Sequence, residues 1–270
     1  MKIIKNKSKL IKILNGQNDL GLVPTMGAIH NGHKSLINIC KNKCKRTIVT
    51  IFVNKPQFNQ KKDYKNYPRV LRNDISILKK MKVDFLYIPD EIEIYPNGPR
   101  KIIEIDPFEK KLCGKFRPGH FKAVVDVIDR FIKIIKPKKI FLGEKDKQQL
   151  EIIKVYVKKY HKNVKVIGCK TIREKNGIAY SSRNSLLTEN EKLIASKIYK
   201  FLTKNKKFLI KNKSKPNIFI KKIKKFGSIK IDYLEVININ NITDKKEKIK
   251  KNYKIFIAYY LGKTRLIDNF

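Results

Sequence analysis

His30 and His33 stand three residues apart in Val23-Pro-Thr-Met-Gly-Ala-Ile-His-Asn-Gly-His33. An apolar run enters Pro24, Thr25 and Gly27, and a helical pattern opens just past His33. Both imidazoles therefore flank a strand–turn–helix junction. Helix N-termini and Gly-rich turns present free N–H groups that suit phosphate oxygens. The chain has 4 histidines in all, and two of them on one such turn point to a bound anion.

Four further blocks carry polar chemistry, and a fifth adds charge beside them. Val53-Asn-Lys-Pro-Gln-Phe58 ends an apolar run, so Asn54 and Gln57 fall where neutral donors orient a small polar ligand beyond the carboxyl end of a strand. Tyr67-Pro-Arg-Val-Leu-Arg-Asn-Asp74 adds Arg69 and Asp74. Leu112-Cys-Gly-Lys-Phe-Arg-Pro-Gly-His-Phe121 offers Arg117 as a bidentate clamp with His120 beside it. Phe141-Leu-Gly-Glu-Lys-Asp-Lys-Gln-Gln149 places Lys145 after a strand and Gln149 on the first turn of a helix. Thr171-Ile-Arg-Glu-Lys-Asn-Gly-Ile-Ala-Tyr-Ser-Ser-Arg-Asn184 ends in two hydroxyls and a guanidinium, the parts of a phosphate clamp. Lys is the default cation of the chain, yet Arg69, Arg117, Arg173 and Arg183 all fall within these blocks. Arg supplies the planar fork that Lys lacks, so this bias favours bound anions. The inventory is cationic and amide-bearing, with no acidic pair, Ser–His–Asp set or metal cluster. It fits nucleotidyl transfer, where catalysis is positioning plus neutralisation of phosphate charge.

The elements that must position these groups follow from periodicity. Strands are expected at 20–25, 46–54, 84–88, 139–143 and 164–171, with helices near 34–41, 68–80 and 121–135 and another from about 148. Such alternation is the signature of a parallel sheet with crossover helices. After about residue 175 the texture changes. Residues 189–226 read as helical and Lys-rich, broken by Pro216. Strands follow at 229–237 and 255–261, and the final RLIDNF suggests a third. The fold class expected is α/β: a Rossmann-like parallel-sheet domain over 1–175, then a smaller α+β domain over 176–270 that closes over the site.

Composition bounds the rest. The chain has 270 residues, 41% hydrophobic, enough for a packed core. It contains no apolar run long enough to span a membrane, and its Lys-interrupted start is unlike a signal peptide. A cytoplasmic location is expected. The net charge of +41 is spread along the chain and not gathered into a stripe, so it reads as compositional bias more than a nucleic-acid footprint. The stretch 202–225 comes nearest to such a footprint. Cys40, Cys44, Cys113 and Cys169 are too few and too scattered for a disulfide framework. Cys40 and Cys44 would share a helix face, yet no further ligand follows at metal spacing.

In this order, PTMGAIHNGH, VNKPQF, YPRVLRND, RPGHF, GEKDKQQ and YSSRN resemble the pantothenate synthetase (pantoate–β-alanine ligase) family of the nucleotidylyltransferase superfamily. The superfamily's HIGH-type turn is similar to His30-Asn-Gly-His33. The match runs from about residue 20 to 190. It implies that pantoate attacks the α-phosphate of ATP to give pantoyl adenylate and pyrophosphate, and that β-alanine then displaces AMP. It implies an ATP cradle of Met26, Gly27, Ala28, Ile29, His30, Asn31, Gly32 and His33, with His33 as proton donor. Gly143, Glu144, Lys145, Asp146, Ile172, Tyr180, Ser181, Ser182 and Arg183 would complete the nucleotide site. His30, His33, Lys145 and Arg183 are the catalytic candidates. Gln57 and Gln149 would hold pantoate with help from Asn54 and Arg117, and Gln57 would also lie near β-alanine. The family uses Mg2+, for which Asp74 is the candidate ligand, and suggests a homodimer. Lys55 intervenes where the family commonly has Pro after Asn, and Tyr180 replaces a usual Met or Leu. Two other readings are another HIGH-type adenylyltransferase and a basic nucleic-acid-binding protein. The first needs a KMSKS-type loop, which YSSRN does not provide. The second needs basic residues grouped on one face.

Overall fold

The computed structural model describes residues 1–240 and 252–270. Six parallel strands, β1 (Lys2–Ile4), β2 (Leu20–Thr25), β3 (Arg46–Ile51), β4 (Phe85–Tyr87), β5 (Lys139–Gly143) and β6 (Lys165–Cys169), form one sheet in the order β1-β4-β3-β2-β5-β6. Their apolar residues alternate between two cores, as a period of two requires. Leu22, Ile48, Tyr87 and Ile140 face one side, while Val23, Val49, Leu86 and Phe141 face the other. The first side is covered by α1 (Lys7–Leu14), α7 (His120–Ile135) and α8 (Lys147–Tyr160), the second by α2 (Asn31–Lys43) and α4 (Leu71–Lys80). Three short helices, α3 (Lys61–Lys65), α5 (Glu91–Ile94) and α6 (Cys113–Phe116), lie in the connections.

β2 pairs with β3 on one side and β5 on the other. The order in which the chain adds strands reverses between β2 and β5. Open α/β sheets bind ligands at such a switch point, beyond the carboxyl ends of the strands. The HIGH-type turn follows β2 and the GEKD segment follows β5, so both reach that point.

The second unit has α9 (Glu189–Lys204), α10 (Lys206–Lys211) and α11 (Pro216–Lys224) packed on an antiparallel sheet, β7 (Ile229–Asn238), β8 (Tyr253–Leu261) and β9 (Thr264–Asn269). Leu234, Ile255, Ile257 and Tyr259 pack with those helices. Tyr233, Phe256 and Ala258, on the other face, join the core of the first unit. Each large apolar side chain so buried contributes about 1.5–3 kcal/mol, so the two units share a welded seam. Lys residues of 202–225 lie mostly outward while Leu209, Phe219 and Ile223 are buried, an ordinary amphipathic arrangement.

Several sequence expectations need correction. β1 and α1 add to the expected elements, because Lys punctuates MKIIKNKSKLIKIL and blurs both periods. α2 begins at Asn31, so His33 lies inside its first turn and not before the helix. β3 stops at Ile51, freeing Phe52, Val53 and Asn54 to start the turn toward Gln57. The helical run breaks over 212–215, and Pro216 lies just past the break. It opens α11 at the first helical position, where its missing N–H is not needed.

Candidate active site

The HIGH-type turn is built by its own backbone. Thr25 Oγ donates to the Thr50 carbonyl at 2.7 Å and accepts the Gly27 N–H at 3.1 Å. Gly27 and Ala28 both have positive φ, +82° and +51°. A Cβ on Gly27 would also sit 3.0 Å from Asp74 Oδ2, so this position requires glycine. Asp74, on α4 and 1% exposed, accepts the N–H groups of Ala28 at 2.9 Å and Ile29 at 2.7 Å. Burial raises its pKa, and the two N–H bonds pull the other way.

That geometry changes the reading of this turn. Asp74 is buried, accepts one turn N–H on each carboxylate oxygen and does not line the cavity, so in this structure it supports the turn from beneath. Ala28 and Ile29 have their N–H groups turned to Asp74, so they shape the cradle without offering donors to phosphate. Asn31 is turned outward and donates its amide to the Tyr180 hydroxyl at 3.0 Å.

His30 caps α2, and the cap is reciprocal. His33 N–H donates to His30 Nδ1, and His30 N–H donates to His33 Nδ1, each at 3.4 Å. The rings stack with centroids 3.9 Å apart, and Tyr180 stacks against His30 at 6.2 Å. A Cβ on Gly32 would lie 2.9 Å from His30 Cε1, so the ring fits only over glycine. Burial pushes the His30 pKa down to about 4, helped by nearby Lys145. Burial also holds His33 well below the usual imidazole range, with His30 and Lys145 adding to the effect. Both rings are therefore neutral at pH 7. With Nδ1 accepting in each, the proton sits on Nε2, leaving a donor free for an anion.

His30, Gly32 and His33 line a cavity of about 250 Å³ with Met26, Gln57, Gly143, Lys145, Asp146, Gln149, Ile172, Tyr180, Ser181, Ser182 and Arg183. Val124, Val127, Ile128, Phe52 and Phe131 give it an apolar wall. Every block identified from sequence thus reaches one cleft, although Gly27, Ala28, Ile29 and Asn31 of the turn do not line it and Glu144 turns away to Lys147 at 3.3 Å. Ser182 Oγ reaches the Ala28 carbonyl at 3.4 Å, tying the YSSRN loop to the turn. Arg183 meets Asp63 through Nη2 at 3.1 Å. A larger cavity of about 740 Å³ adjoins, sharing Tyr67, Arg117, Lys145, Asp146, Ser181 and Arg183, and opens toward β8 and β9.

Asn54 and Arg117 act on Gln57. Asn54, 1% exposed, donates to Gln57 Oε1 at 3.1 Å and to the Ala123 carbonyl at 3.2 Å, and accepts the Tyr95 hydroxyl at 2.7 Å. The Gln57 amide is thereby fixed with Nε2 as donor, 3.0 Å from Met26 Sδ. Arg117 and His120 both donate to the Gln57 carbonyl, at 3.1 and 2.8 Å. His120 is buried and pushed down to about 3, so its neutral Nε2 accepts from Arg117 at 3.1 Å. Burial and nearby Arg183 lower the Arg117 pKa to about 10, which leaves it a cation at pH 7.

Two arginines expected to bind anions do not face the cleft. Arg69 donates to the carbonyls of Tyr64, Lys65 and Tyr67, bracing its own loop. Arg173 pairs with Asp268 at 2.6 Å. Lys170, Thr171 and Tyr67 line the small cavity, although their sequence context did not single them out. Lys170 follows β6 just as Lys145 follows β5, the one signal that could have found it. The four cysteines are free and buried, and Cys40 and Cys44 pack under Gly21. Among the described residues no group of three or more His, Cys, Asp or Glu could hold a metal ion.

The pantoate-beta-alanine ligase family model matches residues 2–270. Pantothenate synthetase of Clostridium botulinum (strain ATCC 19397 / Type A) is 40% identical over 272 residues, 99% of this chain and 96% of the relative. The Thermosipho africanus pantothenate synthetase is 37% identical over 276 residues, 100% and 99%. Among solved structures, the Francisella tularensis pantoate-beta-alanine ligase complexed with beta-gamma ATP and beta-alanine has a TM-score of 0.87 at 40% identity, over 100% of this chain and 97% of that one. The Thermus thermophilus pantothenate synthetase has a TM-score of 0.90 at 28% identity, over 100% and 99%. The chain belongs to the pantoate-beta-alanine ligase family.

Proposed function

We propose that the small cavity carries out both halves of an ATP-dependent condensation of pantoate with β-alanine. The observation that carries this reading is the convergence of the two neutral histidines, Lys145, Ser182 and Arg183 beside Gln57, Gln149 and an apolar wall. The wall suits the dimethyl carbon of pantoate, and the two amides suit its hydroxyl and carboxylate oxygens. In the first step a pantoate carboxylate oxygen bonds to the α-phosphorus of ATP as the bond to the β-phosphate oxygen breaks. The nucleophile is already an anion at neutral pH, so no strong base is needed. His30 and His33 donate Nε2–H to phosphate oxygens, and Lys145 and Arg183 supply the positive charge. In the second step the β-alanine amine bonds to the acyl carbon, its bond to the AMP oxygen breaks, and the amine loses a proton. Gln57 holds pantoate and lies near the amine. The YSSRN loop and the 54–67 segment exclude water from the acyl adenylate.

Mg2+ suits this site when carried on the phosphates, since it keeps waters and takes one or two carboxylates. Asp146 lines the cavity with a 46% exposed side chain, and it replaces Asp74 as the proposed carboxylate. Bound there, the ion would neutralise phosphate charge. A cytoplasmic homodimer completes the proposal. Four free cysteines suit a reducing compartment, and no helix among the described residues is long and apolar enough to cross a membrane.

The test is a pair of assays with Mg2+ and ATP. Pantoate alone should release pyrophosphate in a single turnover, and adding β-alanine should give AMP and pantothenate. His33→Ala should lose both. Product formation independent of pantoate would overturn the reading.

A further inference from the structure

The end of β9 reaches the turn that carries Lys145. Asn269, 8% exposed at the end of β9, donates its side-chain amide to two carbonyls, Glu144 at 2.8 Å and Lys145 at 2.9 Å. Those carbonyls belong to the single turn (Glu144–Asp146) between β5 and α8 that carries Lys145. The donor is itself immobilised. Asp268 accepts the Asn269 N–H at 2.8 Å and holds Arg173 through both guanidinium nitrogens, at 2.6 and 2.9 Å. Phe270 exchanges both backbone hydrogen bonds with Ile255 in β8, at 3.0 and 3.2 Å. Arg173 also lies over the rings of Tyr199 and Phe270.

We propose that Asn269 is a positioning residue for the ATP-dependent step: its amide fixes the 144–146 turn, and so the reach of Lys145 into the cavity. This rests on the ligase reading of the same site. A Lys ammonium ends a flexible four-carbon stem, so its placement depends on how firmly its backbone is held. Two hydrogen bonds from a separate sheet hold it here. The same contacts tie the antiparallel sheet to the turn that carries Lys145.

The donor pattern makes the proposal testable. Asn269→Asp keeps the shape but sets a carboxylate against two carbonyls and adds a negative charge beside Lys145. Asn269→Ala removes both donors. A displacement of about 1 Å at a positioned group can cost about 100-fold. We expect kcat/KM for ATP to fall about 10-fold in Asn269→Ala and about 100-fold in Asn269→Asp by that measure. The readout that a merely structural role would not move is the division between half-reactions. Amide formation from preformed pantoyl adenylate involves no triphosphate and no pyrophosphate leaving group, so it should fall far less than the ATP-dependent step. Ile223→Val, in the buried core of the same unit, serves as the control for lost stability and should leave both half-reactions unchanged.

Wild-type protein that makes no pantothenate would overturn the ligase reading itself. Active wild type, with Asn269 variants that are folded and as active as wild type toward ATP, would overturn only this inference. An equal fall in both half-reactions would overturn it too, assigning Asn269 to stability alone.

Discussion

Replacing Asp74 by Asn tests whether the phosphate-facing turn is held from beneath. The carboxylate makes two charge-assisted bonds, at 2.9 Å to Ala28 and 2.7 Å to Ile29, from a site that is 1% exposed. Such bonds to a charged group contribute about 1.5–3 kcal/mol each. The amide keeps one acceptor and turns its NH2 toward the other backbone N–H. The loss is one bond plus a stranded buried donor, about 2–4 kcal/mol in total. At about 2–4 °C per kcal/mol for a chain of this size, Tm should fall by about 4–16 °C. The turn carries His30 and His33, so kcat/KM for ATP should fall about 10- to 100-fold with it. Thermal unfolding and steady-state kinetics at varied Mg2+ are the assays. Unchanged Tm and unchanged activity would refute the reasoning. Unchanged Tm with a sharply increased Mg2+ requirement would make Asp74 a metal ligand instead.

Acidification should destabilise the protein through its buried imidazoles. His30, His33 and His120 all have lowered folded-state pKa values, about 4 for His30 and about 3 for His120. The unfolded chain takes up protons near pH 6.5 that the folded chain refuses, so their contribution is complete above about pH 7 and declines as pH falls through about 6.5. Tm measured between pH 7.5 and pH 5 should fall accordingly, and a Tm that rises on acidification would contradict the neutral assignments. With Mg2+ saturating, kcat/KM for ATP should show no limb at an ordinary imidazole pKa, and a midpoint near 6.5 would mean that a histidine cation is required. Gly32→Ala should displace the His30 ring, since the new Cβ would lie 2.9 Å from Cε1. Its activity should fall by at least about 10-fold while Tm moves little, and normal activity would show that the ring position is unimportant.

Much of this was legible because it is local. β2 and β5 are short runs of apolar residues ended by motif residues, and a parallel sheet sends such ends to one edge. The blocks at 23–33, 53–58, 141–149 and 180–183 therefore converge as their order implies. What the sequence concealed was partnership. Asp74 and Asp146 look equally suited to a metal, and only the folded chain shows that the first is spent on Ala28 and Ile29. Arg69, Arg173 and Arg183 stand in similar blocks, yet Arg69 meets loop carbonyls and Arg173 meets Asp268, 95 residues away. Asn269 reads as the end of a strand, because its partners at Glu144 and Lys145 are more than 120 residues distant in the chain. Long-range hydrogen bonds leave no periodic trace.

Oxygen labelling reads the acyl-adenylate step most directly. Pantoate carrying 18O in its carboxylate should be converted with ATP and unlabelled β-alanine, and the products analysed by mass spectrometry. Attack of the carboxylate on the α-phosphorus predicts one 18O atom in AMP and none in pyrophosphate. Label in inorganic phosphate, with ADP as the nucleotide product, would mean activation at the γ-phosphate and would contradict the assignment of this cleft.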